Sequence, residues 1–225
     1  MDTGKLSLVA TPIGNLEDMT YRAVRTLSEA EYILCEDTRV TGVLLKRYEI
    51  NGKLRRYDAH ASEHTHQTIL ADLADGKHVA LVSDAGTPGI SDPGVYLVQQ
   101  VRKAGVLIEV IPGPSAVTAA VSLAGISGNQ FAFLGFVPQK KGRETFFKTL
   151  EEYELPVVFF ESTHRILKCL TSLATYLPER TLYVGRELTK MHEEMIVGTA
   201  SEVLTVLEET PVKQKGEFVV VLDKE

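Results

Sequence analysis

SDAGTPGISDPG, residues 83–94, has a composition that no packed helix or strand tolerates. It follows an apolar run at 79–82 and precedes a helix-like run at 95–104. Its three glycines can adopt positive φ or let a ligand approach the backbone, and its two prolines stiffen the chain. A long stiff loop at the carboxyl end of a buried strand is where open α/β sheets bind ligands. The stretch, called the glycine loop from here on, therefore predicts an α/β protein with a ligand site.

Apolar runs and helical periodicities alternate on both sides of the glycine loop. Short apolar runs at 6–10, 32–35, 54–57, 78–82 and 106–111 are typical of strands. Helical spacing of apolar residues predicts helices from residue 20, at 41–48, at 62–74 and at 95–104. Alternation through five strands predicts a mostly parallel five-stranded sheet.

A second pattern follows a helix predicted at 116–124. Strands are predicted at 131–136, 156–160, 182–185, 195–198 and 218–222, and helices at 140–153, 166–176 and 200–208. The 225 residues allow one large domain or two of about a hundred residues each. We place the boundary near Gly113 and expect two domains, 1–114 and 115–225, the second with a mixed sheet.

Composition favours a cytoplasmic globular protein. The start of the chain lacks the cationic and apolar segments of a signal peptide, and no apolar run is long enough to cross a bilayer. The two cysteines lie far apart, which suits a reducing compartment and gives no metal-binding pattern. The net charge of −6 is unlike that of a protein that coats nucleic acid, so any contact with RNA must use local basic patches.

Polar turns at the strand ends indicate a site built from several loops. In the first half they are TPIGN from residue 11, CEDTR from 35, the glycine loop and IPGPSA from 111; in the second half they are ESTHR from 161 and GRELTK from 185. The P-loop, GxGxxG and GxSxG signatures are absent from the sequence. His60, His64 and His66 lack the pattern of a metal site, and we expect them on a solvated helix start.

The strand-end motifs, together with KGEFVVV from residue 215, resemble in order those of the ribosomal RNA small subunit methyltransferase I family, part of the tetrapyrrole methylase superfamily. The resemblance covers nearly the whole chain. It implies two α/β/α domains of the tetrapyrrole methylase type with S-adenosylmethionine in the cleft that the second domain completes. It also implies a homodimer that methylates the ribose 2′-hydroxyl of a cytidine in the decoding region of 16S rRNA. Longer relatives carry a further C-terminal segment, which puts RNA affinity in question here.

Matching positions imply which residues bind the cofactor. They are Pro12, Gly14, Asp84, Gly86, Thr87, Ile90, Asp92, Ser115 and Ala116. Backbone groups of the glycine loop would meet the methionine moiety, and Asp84 or Asp92 would bind its ammonium or a hydroxyl. Turn formation by the aspartates and helix capping by Ser115 are the structural alternatives.

Methyl transfer to a hydroxyl gains from positioning and from a base that removes the proton. The candidates for the base are Glu36, Asp37, Glu161 and Glu187, each near an arginine, so a structural ion pair is an equal alternative for each. Candidates for contact with RNA are Arg39, Lys140, Lys141, Arg143, Arg165, Arg186 and Lys190.

Two other functions remain open from the sequence. A methyltransferase of the same fold that acts on a porphyrin-like molecule would have a closed apolar cleft without a basic rim. A ribosome-binding protein without catalysis would bind the cofactor tightly without turnover. The CEDTR and ESTHR motifs favour RNA as the substrate.

Overall fold

The chain divides into two compact units, Met1–Ser115 and Ala116–Glu225. The computed structural model describes residues 4–91, 93–126 and 129–224. Each unit contains a five-stranded sheet. No helix in these described ranges is long and apolar enough to cross a membrane.

Strands and helices alternate through the first unit. In chain order the elements are β1 Lys5–Val9, α1 Tyr21–Glu29, β2 Tyr32–Cys35, α2 Thr38–Arg47, β3 Leu54–Arg56, α3 Glu63–Ala74, β4 His78–Val82, α4 Val95–Lys103 and β5 Leu107–Ile111. The sheet has the order β3-β2-β4-β1-β5, and every neighbouring pair is parallel. Strands β4 and β1 are neighbours in this sheet. The connection that follows β1 leads to β2 on one side of this pair, and the connection that follows β4 leads to β5 on the other side. Open α/β sheets bind ligands at the carboxyl ends of such a strand pair.

Alternate residues of the central strands face opposite sides of the first sheet. Leu6 and Leu81 pack with Leu73 of α3 and Leu97 of α4 on one side. On the other side, Val9, Ile33 and Val82 pack with Leu27 of α1 and Leu45 of α2, among others. Helices therefore cover both faces, and only the sheet edges and strand ends are left for ligands.

The second unit has a mixed sheet with helices on both faces. Its elements are α5 Ala116–Ala124, β6 Ala132–Phe136, α6 Arg143–Thr149, β7 Val157–Glu161, α7 Ile166–Tyr176, β8 Leu182–Arg186, β9 Glu194–Gly198, α8 Ala200–Glu209 and β10 Phe218–Leu222. In the order β6-β7-β10-β8-β9, only β6 and β7 are parallel. The core on one face joins α6, α7 and α8, while α5 packs against β7 and β10. The predicted fold class, two α/β units with a parallel and a mixed sheet, is confirmed.

Two helix predictions were wrong in their bounds. The helix predicted at 140–153 begins only at Arg143, because Gly142 precedes it with a left-handed φ of +85°. It ends at Thr149, and one 3₁₀ turn, Leu150–Glu152, follows. The helix predicted at 41–48 begins three residues earlier, because the Asp37 side chain accepts a hydrogen bond from the Arg39 N–H and caps it.

Candidate active site

Two backbone hydrogen bonds join the loop after β1 to the glycine loop after β4. The N–H of Thr11 donates to the carbonyl of Gly86 at 2.9 Å, and the N–H of Gly86 donates to the carbonyl of Thr11 at 3.0 Å. The buried Thr11 hydroxyl donates to the Ser83 carbonyl at 3.1 Å, and the Ser83 hydroxyl donates to the Ala85 carbonyl at 3.1 Å. These contacts hold the two loops together at the carboxyl ends of adjacent strands, which we call the carboxyl edge.

The backbone of the glycine loop requires glycine at two places. Gly86 has a φ of +79°, and a Cβ there would lie 3.5 Å from Ile13 Cγ2. Gly94 has a φ of +125°, and a Cβ there would lie 2.8 Å from Leu81 Cδ2. Side chains at these φ values are strained, and at Gly94 a side chain would also collide with the strand that the loop leaves.

Two side chains connect the glycine loop to the loops after β5 and β2. The Thr87 hydroxyl donates to the Pro114 carbonyl at 3.4 Å, and the Asp37 N–H donates to Asp84 Oδ1 at 3.1 Å. Four loops of the first unit therefore meet at the carboxyl edge. The Asp84 side chain is half-buried there, whereas Asp92 lies outside the described residues.

The remaining residues assigned to the cofactor differ in exposure. Pro12 is buried, Gly14 is exposed, and Ile90 is 45% exposed although it is apolar. Ser115 and Ala116 are half-buried and stand on either side of the division between the two units. An exposed isoleucine beside a polar loop is a surface that an apolar part of a ligand can cover.

Glu36 and Asp37, two of the candidate bases, follow β2 at the carboxyl edge. Both carboxylates are half-buried. The exposed guanidinium of Arg39 donates to both oxygens of Asp37, from Nε at 3.0 and 3.2 Å and from Nη2 at 2.6 Å. These bonds and the bond from the Arg39 N–H lower the pKa of Asp37 to about 2. A carboxylate with so low a pKa is a weak base at neutral pH.

The pKa of Asp37 predicts a pH-dependent contribution to stability. A carboxyl whose pKa is lower in the folded state stabilises the fold fully above its unfolded pKa, about 4, and loses this contribution as the pH falls towards 2. We expect the free energy of unfolding of Asp37→Asn to lie slightly below that of the parent protein at pH 6, the effect being small because the guanidinium of the partner Arg39 is exposed to solvent. Denaturant unfolding between pH 2 and 6 should show this difference vanish near pH 2; a difference that is constant with pH would contradict the assignment.

Glu161 is enclosed by hydrogen-bond donors in the second unit. Its side chain is 0% exposed, and its two oxygens accept from Arg143 Nη1 at 3.1 Å and from Arg165 Nη2 at 2.8 Å. The N–H of Ser162 donates to Glu161 at 2.7 Å, and the Arg143 side chain is only 10% exposed. A carboxylate and a guanidinium held in this way stabilise the end of β7, so the geometry favours structural roles over a proton transfer by Glu161 or an RNA contact by Arg143.

Glu187 and Lys190 form a second polar cluster after β8. Lys190 Nζ lies 3.0 Å from Glu187 Oε1 and 3.0 Å from Glu217 Oε2. Burial raises the pKa of Glu187, but bonds from the Glu217 N–H and from Lys190, with nearby Arg186, outweigh it and lower the pKa. Burial lowers the pKa of Lys190, and its two carboxylate partners raise it by more. Glu187 is therefore a weaker base than an ordinary glutamate.

The remaining basic residues that are candidates for contact with RNA differ in the exposure of their side chains. The guanidinium of Arg186 is buried and donates to the carbonyls of Lys215, His192 and Val212, so it stabilises the loops around β8. Lys140 and Lys141 are exposed, as is Arg39, whose side chain is 89% exposed. Among the basic candidates, these three have the exposure that a contact with a phosphate requires.

The burial of His66 beside the glycine loop was not predicted from the sequence. His66 was expected on a solvated helix start, but it is only 6% exposed. Its spacing from Ile69, Leu70 and Leu73, three, four and seven residues further on, places it on the apolar face of α3 and is the signal that could have found it. Within the described part of the chain, no group of three or more His, Cys, Asp or Glu side chains could hold a metal ion.

Known proteins share both the fold and the sequence pattern. Residues 5–204 match the family model described as Tetrapyrrole (Corrin/Porphyrin) Methylases. The crystal structure of uroporphyrin-III-C-methyltransferase from Thermus thermophilus has a TM-score of 0.65 at 22% identity, over 98% of this chain and 94% of that one. The methyltransferase CobJ has a TM-score of 0.71 at 20% identity, with the same coverage of both chains. The fold and the loops at the carboxyl edge therefore define a protein of the tetrapyrrole methylase class.

Sequence relatives identify one family within this class. A ribosomal RNA small subunit methyltransferase I from Thermotoga maritima is 44% identical over 219 residues, which are 97% of this chain and 98% of the relative. The proteins of the same name from Neisseria meningitidis serogroup B and Escherichia coli O157:H7 are 46% and 41% identical, and 76% and 78% of their lengths are matched. The chain belongs to the ribosomal RNA small subunit methyltransferase I family.

Proposed function

We propose that this protein transfers a methyl group from S-adenosylmethionine to the ribose 2′-hydroxyl of a cytidine in the decoding region of 16S rRNA. The observation that carries the proposal is the convergence of four loops at the carboxyl edge, in a chain whose relatives are named for methylation of small-subunit rRNA.

The residues at the carboxyl edge fit S-adenosylmethionine in their chemistry. Asp84 offers a half-buried carboxylate for an ammonium. We assign the carboxylate of the cofactor to backbone N–H groups beside Gly86, because the N–H of Gly86 itself is bonded to Thr11. Ile90 offers an exposed apolar side chain that can pack against a purine. When bound, the cofactor supplies an electrophilic methyl group on a sulfonium. We propose that the cofactor is also contacted by Pro12, Gly14, Asp92, Ser115 and Ala116.

The proton of the attacking hydroxyl needs an acceptor, and the four candidate carboxylates differ in availability. Glu161 is enclosed by two arginines, and both Asp37 and Glu187 have lowered pKa values. Glu36 follows β2 at the carboxyl edge and is half-buried. Glu36 is therefore the base in this proposal, and the other three carboxylates position neighbouring backbone and side chains.

Contact with RNA is assigned to Arg39, Lys140 and Lys141, because these side chains are exposed. A few local cations are consistent with a chain of net charge −6, since the sequence-specific part of RNA recognition uses unpaired bases rather than total charge. The same proposal places the protein in the cytoplasm, as a homodimer acting on small ribosomal subunits.

A labelled-methyl assay tests the proposed function. The protein is incubated with methyl-labelled S-adenosylmethionine and small ribosomal subunits that lack the modification, and the digested rRNA is separated into nucleosides. We expect label in 2′-O-methylcytidine from a single position. Label in another nucleoside or in a porphyrin-like acceptor would overturn the RNA assignment, and tight binding of the cofactor without transfer would indicate a binding protein.

A further inference from the structure

A cavity of about 450 Å³ lies beside the glycine loop, within the first unit. Its lining includes Tyr57, His66 and Tyr96, with Glu63 at the start of α3 and Pro93 and Gly94 at the end of the glycine loop. The same loop therefore belongs both to the carboxyl edge and to the wall of this cavity. The side chains of Tyr57, Glu63, His66 and Tyr96 have no task in the function proposed above.

The buried imidazole of His66 has one nitrogen without a hydrogen-bond partner. Its Nε2 lies 3.1 Å from the Tyr57 hydroxyl, whereas its Nδ1 is buried and makes no hydrogen bond to any described residue. The nearest carboxylate oxygen, Oε2 of Glu63, is 4.0 Å from Nδ1, which is beyond hydrogen-bond reach. An unpaired buried polar group costs free energy, so a ligand that pairs with Nδ1 would recover it.

The direction of the hydrogen bond between Tyr57 and His66 decides whether Nδ1 of His66 is a donor or an acceptor. Burial raises the pKa of Tyr57, and a backbone hydrogen bond from Leu97 lowers it by less. The Tyr57 hydroxyl therefore keeps its proton at neutral pH. In the tautomer in which the Tyr57 hydroxyl donates to Nε2, the Nδ1–H of His66 is a donor. The Glu63 carboxylate on the same wall is exposed and accepts a bond from the Tyr96 hydroxyl at 3.4 Å. The wall thus presents a donor next to an acceptor.

Aromatic surface accompanies this polar pair. The ring of Tyr96 lies 4.7 Å from the ring of His66, and Tyr96 is 46% exposed. Cytosine presents an exocyclic amine next to a ring nitrogen that accepts, which complements a carboxylate beside an N–H donor, whereas uracil presents the opposite order. Unpaired bases in RNA are recognised by such edge contacts together with stacking on aromatic side chains.

We infer that this cavity binds the unpaired cytosine of the nucleotide to be methylated, with Glu63 accepting from its exocyclic amine, His66 Nδ1 donating to its ring edge and Tyr96 stacking on it. A base held against Pro93 and Gly94 brings its ribose to the glycine loop. The inference rests on the proposed function, because it names the base that accompanies the reacting hydroxyl.

Two substitutions test the cavity through activity. Tyr96→Ala should lower kcat/KM for the small subunit about tenfold or more through the loss of stacking. Glu63→Gln should reduce the preference for subunits with cytidine over subunits with uridine at the target by roughly fivefold or more. Both variants should bind S-adenosylmethionine like the parent protein. Glu31→Gln is the matched control, because Glu31 is exposed and precedes β2 at the opposite, amino edge of the sheet.

If both variants kept the kcat/KM and the base preference of the parent protein, the inference that the cavity binds cytosine would be wrong, and the proposed function would be unaffected. A direct measurement keeps the inference testable if the parent protein transfers no methyl group to RNA. Titration with cytidine 5′-monophosphate should shift the side-chain NMR signals of His66, and the same concentration of uridine 5′-monophosphate should not. Unchanged His66 signals with the cytidine nucleotide, or equal shifts with both nucleotides, would contradict the inference.

Discussion

Replacing Gly86 with valine should lower the affinity for S-adenosylmethionine about tenfold or more, since restoring a strained backbone conformation for binding costs about 1–3 kcal/mol and each 1.4 kcal/mol is tenfold in affinity. The backbone at Gly86 has a φ of +79°, which a β-branched residue rarely adopts, and the added Cβ would contact Ile13. The loop would have to move, and with it the two hydrogen bonds to Thr11. Isothermal titration calorimetry with the purified variant measures the change.

Gly105→Val is the matched control for this substitution. Gly105 has a φ of +70°, and a Cβ there would meet nothing within 4 Å. It lies in the turn between α4 and β5, at the amino edge of the same sheet. Both valines impose similar backbone strain and should lower the melting temperature, but only the one at Gly86 should weaken binding. Equal losses of affinity in the two variants would show that strain, and not position in the site, is responsible.

Replacing Glu161 with alanine should lower the free energy of unfolding of the second unit by about 3–5 kcal/mol, the usual effect of removing one partner of a buried ion pair. The variant leaves the guanidinium of Arg143 buried without its carboxylate, and it also removes the acceptor for Arg165 and for the Ser162 N–H. Denaturant unfolding followed by circular dichroism measures the loss.

The matched control for Glu161→Ala is Glu144→Ala. Glu144 lies on α6, and its replacement removes an exposed ion pair with Lys148. Surface pairs contribute little, so this variant should unfold like the parent protein. If Glu161→Ala kept the stability of the parent and lost methyl transfer instead, Glu161 would have a chemical role and the structural interpretation would be wrong.

Element type and order could be predicted from the sequence because the apolar runs are short, regular and separated by turn residues. The parallel sheet followed from the alternation of strands and helices, and the convergence of the loops followed from the parallel sheet. Helix starts were less predictable, since they depend on local groups: Asp37 begins α2 early by capping it, and Gly142 delays α6 by its left-handed backbone.

The candidate site was less predictable than the fold. Sequence position shows that a charged residue follows a strand, but not whether its side chain turns inward. Arg143 and Arg186 turn inward to a carboxylate and to backbone carbonyls, whereas Lys140 and Lys141 remain exposed. Tyr57, His66 and Tyr96 come together only because α3 and α4 pack on the same face of the sheet, a contact that no local motif records.

A crystal structure of the protein with S-adenosylmethionine would show where the cofactor binds. We predict electron density for the cofactor against the glycine loop at the carboxyl edge of the first sheet, with its methionine moiety bonded to Asp84 or to the backbone near Gly86. Density at any other place, with the glycine loop making no contact to the cofactor, would contradict this prediction.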